Sequence, residues 1–146
     1  MVRKVDTTAL KFNQACIVIF TTVAFLLNQP YLVLLVGLVL ALGTIAPQAA
    51  LFKLGYLKVA KPLGLLKANL IEDDPAPHQF AQGVGALFLF ASSAALLLLQ
   101  ASLLGWSLAW IVIILAAVNL VFNFCAGCFV YYQLNRMGLI AQPKVK

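Results

Sequence analysis

The chain has 146 residues, of which 64% are hydrophobic and 10% charged. Soluble domains average roughly 45–50% apolar and about 25% charged residues, so a soluble enzyme, a disordered chain and a disulfide-stapled secreted domain are all excluded. The ten basic and four acidic side chains fall in three patches, residues 3–11, 53–74 and 136–146. Neither 12–52 nor 75–135 holds an Asp, Glu, Lys or Arg. Charge is costly in hydrocarbon, so the uncharged stretches read as membrane segments and the patches as their surfaces.

A membrane helix needs about 20 apolar residues. The first uncharged stretch accommodates two passes, Leu10–Leu27 and Tyr31–Ala46, reversed at Asn28-Gln29-Pro30 and closed by Pro47. The second accommodates His78–Leu99 and Trp106–Tyr132, with Gln100-Ala101-Ser102 and Gly105 marking the reversal. The expected fold is all-α, a polytopic four-helix membrane bundle forming a single domain over residues 1–146. All ten Lys and Arg residues lie at the N-terminus, in the 48–77 connector or at the C-terminus. The positive-inside rule then predicts N-in and C-in topology with a cytoplasmic connector. Leu10–Leu27 lacks a small-x-small cleavage pattern and leads straight into the next span, so it reads as mature structure. The expected location is a bacterial cytoplasmic (inner) membrane, or a thylakoid if the source is photosynthetic. The net charge of +6 reflects residues flanking membrane segments. It forms no binding module, so the bilayer is the expected partner and nucleic acid is not.

Within the connector, Phe52, Tyr56, Val59 and Leu63 recur at helical spacing, with Lys53, Lys58 and Lys61 on another sector. This pattern predicts an amphipathic helix in the membrane interface, limited by Pro62 and Gly64. Glu72-Asp73-Asp74-Pro75 then reads as helix-start chemistry, with Asp74 or a neighbour as cap.

Cys125-Ala126-Gly127-Cys128 is the local motif that carries chemistry. Two thiols at this spacing can close a small disulfide, and one thiolate is often stabilised. Gly127 leaves room for a neighbouring helix. Counted from Trp106 at 1.5 Å per residue, Cys125 lies roughly 27 Å into its span, at the cytoplasmic edge. Cys16, five residues after Lys11, and His78 fall at the same depth. Three readings compete for this layer. In the first, Cys125 and Cys128 exchange thiols or carry sulfane sulfur, with Cys16 and His78 as auxiliaries. In the second, Cys16, His78, Cys125 and Cys128 ligate a metal or iron–sulfur cluster. In the third, they only pack. The scatter of the four ligands over separate helices weighs against the second, and neither a metal nor a cofactor is expected.

Asn119 and Asn123 in the last span, Asn13 and Gln14 beside Cys16, and Gln79 and Gln82 after His78 are amides that need partners in lipid. They read as interhelical glue or as a polar substrate path. No carboxylate lies within a span, which argues against a proton-coupled pump.

Phe80-Ala81-Gln82, Asn119, Asn123 and Cys125-Ala126-Gly127-Cys128 followed by Tyr131 resemble, in that order, a bacterial membrane family known as domain of unknown function four-three-nine-five. The resemblance extends over nearly the whole chain. Members often occur beside thioredoxin-like and rhodanese-like sulfurtransferase proteins, which implies a membrane partner in thiol or sulfane-sulfur traffic. The positions it transfers are Phe80, Gln82, Asn119, Asn123, Cys125 and Cys128. The leading functional expectation is a membrane-embedded thiol–disulfide or sulfane-sulfur relay acting with such partners. Cys125 and Cys128 form its reactive pair, and Cys128 is expected to be the more accessible thiol. The alternatives are a non-catalytic accessory or assembly subunit of a larger membrane complex, a homo-oligomer included, and a small channel or transporter for a sulfur species.

Overall fold

The computed structural model describes residues 3–46, 54–60, 62–64, 70–73 and 75–139. Helix α1 (Thr7–Leu26) starts where Asp6 takes extended geometry and its Oδ1 accepts the amide hydrogens of Thr8 at 3.0 Å and Ala9 at 3.3 Å. That cap satisfies two of the donors a helix start leaves open. The chain reverses at Asn28, which takes the left-handed conformation at φ 52°. Pro30, the first residue of α2 (Pro30–Ile45), needs no amide partner there. Helices α3 (Pro75–Leu97) and α4 (Ser102–Phe122) form the second hairpin, reversed at Gln100 with φ 51°.

Helix α1 packs on α2, α2 on α3, α3 on α4 and α4 back on α1, which closes a ring of four helices. The seam between them is apolar, with Ile17, Val33, Val36, Leu40, Leu89 and Val112 buried in one cluster. The outside is apolar too: Leu26, Ile45, Leu87, Leu98 and Leu103 are all exposed, Leu103 at 86%. A fold that presents leucines on both its inner and outer faces suits hydrocarbon, not water. Among the described residues, three helices are long and apolar enough to cross a membrane, α1, α3 over Ala76–Leu97, and α4. Helix α2 is apolar but has 16 residues, roughly 24 Å at 1.5 Å per residue.

The structure revises three expectations. Gly105 lies inside α4 and not in the turn: a Cβ there would collide with Leu96, and Ser92 Oγ donates to the Gly105 carbonyl at 2.6 Å. The missing side chain allows close approach of α3 and α4. Second, residues 3–6 and 70–73 form an antiparallel ribbon, β1 (Arg3–Asp6) with β2 (Leu70–Asp73), in the register Lys4 to Glu72 and Asp6 to Leu70. Glu72 and Asp73 are therefore strand residues, while the capping candidate Asp74 lies outside the described residues.

Third, the connector contains a π-helical turn, Tyr56–Ala60, and its expected stripe is not one face. Tyr56 is fully buried against Ala9 and Phe12, with the Phe12 ring 5.9 Å away, while Val59 and Leu63 are exposed. Phe52, Lys53 and Lys61 lie outside the described residues.

Candidate functional site

The span expected over Trp106–Tyr132 is two helices. Helix α4 ends at Phe122, Asn123 takes the left-handed conformation at φ 54°, and α5 (Ala126–Arg136) starts anew. Asn is among the few residues that enter this conformation at little cost. Cys125 is the N-cap of α5, and the Cys128 amide donates to its Sγ at 3.2 Å. The Cys-x-x-Cys motif thus spans the cap and first turn of a helix, where the backbone amides and the helix dipole favour negative charge.

Cys125 and Cys128 are joined as a disulfide, with Cα atoms 5.1 Å apart, inside the usual range. Cys128 is buried, whereas Cys125 is partly exposed. This reverses the expected order of access: capping turns Cys125 out of the helix, while Cys128, one turn in, faces α3. His78, in the first turn of α3, places Nδ1 3.6 Å from Cys128 Sγ. The candidate ligand atoms of His78, Cys125 and Cys128 all lie within 4.8 Å of one another.

Close packing of α5 on α3 holds this juxtaposition. A Cβ on Gly127 would run into Ala81, which leaves no space for any other residue there without displacing α5. One turn further on, Tyr131 is buried with its ring 5.5 Å from that of Phe80. Phe80 is therefore a supporting residue of the pair.

Cys16 stands apart from this cluster. Helix α1 begins at Thr7, not at Leu10, so Cys16 lies roughly 14 Å along its axis, near mid-helix. It is a free, partly buried thiol outside the His78, Cys125 and Cys128 group.

Cys125 also borders a partly open cavity of about 80 Å³ between α1, α3 and α4. Its polar lining consists of amides from all three helices: Asn13 and Gln14, Gln82, and Asn119. Among the described residues, no hydrogen bond ties these four side chains to one another. Ile17, Leu40, Phe88, Val112 and Leu115 supply apolar wall, and among the described residues no charged side chain lines the space. Asn123, expected beside Asn119, is exposed at the helix break and outside this lining. The cavity has room for several water molecules at about 15 Å³ each.

Spacing alone did not reveal the break that builds the site, but a signal for it existed. Asn28 and Gln100 also sit at positive φ where apolar helices end, and Asn123 repeats that role at a third apolar terminus.

Comparison with known proteins finds no match among curated proteins or among solved structures. It does find a family match over residues 5–136, a range that contains both helical hairpins, the cavity and the Cys-x-x-Cys helix. The chain belongs to the family described as Domain of unknown function (DUF4395).

Proposed function

We propose that the protein is a membrane-embedded thiol–disulfide or sulfane-sulfur relay. Its four helices all span, both termini and the connector face the cytoplasm, and a thioredoxin-like or rhodanese-like protein is its soluble partner. The observation that carries this reading is the Cys125–Cys128 pair at the start of α5, with His78 Nδ1 3.6 Å from Cys128 Sγ. A nucleophilic thiol needs a stabilised thiolate, access and a second thiol to resolve the mixed disulfide. Cys125 has the helix N-cap and the exposure; Cys128 has the buried position and the neighbouring imidazole.

In the reduced protein, the Cys125 thiolate attacks a partner disulfide, one partner sulfur leaves as a thiolate and a mixed disulfide forms. His78 takes the proton of Cys128, whose thiolate then attacks Cys125 Sγ. The internal disulfide closes and the second partner sulfur leaves. Two electrons and two protons pass to the partner, and every step reverses. For sulfane sulfur, the Cys125 thiolate takes the terminal sulfur of a partner persulfide, and the partner leaves as a thiolate.

A Cys128→Ser variant should accumulate a mixed disulfide between Cys125 and a cytosolic thioredoxin-like protein, and a reductant should release it. If no such adduct forms with either single serine variant, and the double variant keeps full cellular function, the relay reading falls and an accessory-subunit role replaces it.

A further inference from the structure

We infer that His78, Cys125 and Cys128, once the cysteine pair is reduced, form a binding site for a single zinc ion. Such a site goes beyond the relay and stands without it, because it requires only that the two thiols be free. The three side chains come from two helices, yet their candidate ligand atoms lie within 4.8 Å of one another. Cys16 is outside the group. The set is therefore two thiols and one imidazole, each an ordinary zinc ligand.

The spacing fits a shared metal ion. In a tetrahedral zinc site, sulfur at ~2.3 Å and imidazole nitrogen at ~2.0–2.1 Å from the metal stand roughly 3.5 Å apart. His78 Nδ1 is 3.6 Å from Cys128 Sγ. Two thiolates on one zinc are roughly 3.8 Å apart, a gap that side-chain rotation opens between residues whose Cα atoms are 5.1 Å apart. The surroundings hold the ligands in place. The Cys128 amide donates to Cys125 Sγ at 3.2 Å, the kind of outer contact that orients a metal thiolate. Contact of Gly127 with Ala81 and of Tyr131 with Phe80 fixes α5 on α3, and so sets both cysteines against His78.

The donor types select the ion. The set holds no carboxylate, which argues against calcium and magnesium. Sulfur and imidazole suit zinc or copper(I). With a neutral imidazole, two thiolates cancel the charge of Zn²⁺ but leave copper(I) with one negative charge, and uncompensated charge is costly at the edge of an apolar bundle. Three protein ligands leave the fourth position to water, as in catalytic zinc sites, and the partly exposed Cys125 offers the way in. On binding, both thiols give up their protons to solvent. A sulfur held in the disulfide is no thiolate, so zinc and the disulfide exclude one another, and bound zinc masks the pair from a partner disulfide.

The test uses the full-length protein in nanodiscs, reduced with a phosphine that is then removed without air, beside the oxidised protein. Zinc is titrated against a chromogenic chelator. Expected is one zinc per reduced chain and none per oxidised chain. Cobalt(II) in place of zinc should show a thiolate-to-metal charge-transfer band and the strong visible absorption of a tetrahedral ion. X-ray absorption of the unaltered zinc protein should give two sulfur neighbours at ~2.3 Å and a nitrogen at ~2.0 Å, a readout that depends on no variant. Cys128→Ser and His78→Ala should each weaken binding at least roughly 100-fold, the upper end of what loss of an outer-shell partner costs. Cys16→Ser should leave stoichiometry and affinity unchanged. Zinc should also suppress alkylation of Cys125 and Cys128 but not of Cys16, and a strong chelator should restore it. If the reduced protein holds zinc no better than the oxidised one, whether or not it holds copper(I), the zinc site is wrong, and the mixed-disulfide test of the relay is untouched. Loss of the ion in Cys16→Ser would overturn the three-residue site. Zinc bound as expected, with no mixed disulfide in either single serine variant, would keep the site and remove the relay.

Discussion

At the residue scale the two cysteines are unequal, and their difference sets the direction of the proposed chemistry. Cys125 caps α5 and receives the Cys128 amide hydrogen at 3.2 Å, while Cys128 is buried beside His78. Once reduced, Cys125 should alkylate roughly tenfold faster than Cys128 or Cys16, because only Cys125 combines access with thiolate stabilisation. Mass spectrometry of iodoacetamide-quenched samples reads the ratio. Removing the imidazole should show in resolution, not in attack: His78→Ala should slow closure of the internal disulfide by about 100-fold near neutral pH, the low end for general-base catalysis. The deficit should narrow as pH rises and hydroxide replaces the base, and stopped-flow kinetics across pH separates this from simple misfolding. Tyr56 offers a second pH test. Burial, with the Asp6 carboxylate adding to it, pushes its phenol above the ordinary range. The unfolded chain then ionises first, near pH 10. The contribution of Tyr56 to stability is complete below that pH and is lost as pH rises toward the folded value. Tyr56→Phe should flatten this alkaline loss in thermal unfolding.

At the scale of elements, two glycines set helix–helix distances and should resist substitution. Gly127→Ala forces α5 off Ala81 and Gly105→Ala forces α4 off Leu96. Each should cost about 1–3 kcal/mol, the usual penalty of overpacking, measurable by unfolding in detergent. Gly127→Ala should also slow disulfide closure, because α5 carries both cysteines, whereas Gly105→Ala should leave closure nearly unchanged. The first two hairpin turns were legible in the sequence, because Asn28-Gln29-Pro30 and Gln100 interrupt apolar runs with residues suited to turns. The break at Asn123 was not, because it lacks Gly or Pro and the apolar pattern continues through Phe124 into Phe129. The β1–β2 ribbon escaped notice for a different reason: a four-residue strand has almost no periodicity, and its partner lies 64 or more positions away along the chain. Sequence depth counting put His78 and the cysteine pair in one layer, and the structure sets His78 Nδ1 3.6 Å from Cys128 Sγ. Cys16 lies outside that group, although Asn13, Gln14 and Ile17 around it line the same cavity as Cys125.

For the whole molecule, an apolar exterior surrounds a bundle whose chemistry is gathered at one end. Helices α3 and α4 form a hairpin, so the start of α3 and the end of α4 meet there, and the N-terminal ribbon joins the same region through the connector. The proposed topology sets this end at the cytoplasmic face. The central claim is that Cys125 is a reactive thiol presented at that face. Its most direct test is alkylation of the reduced protein in sealed vesicles of known orientation, with membrane-impermeant and permeant maleimides. The account predicts that impermeant reagent reaches Cys125 rapidly from the cytoplasmic side, with Cys128 and Cys16 labelled slowly and mainly by the permeant reagent. Labelling of Cys125 only from the opposite side, or no faster than Cys16 with either reagent, would contradict it.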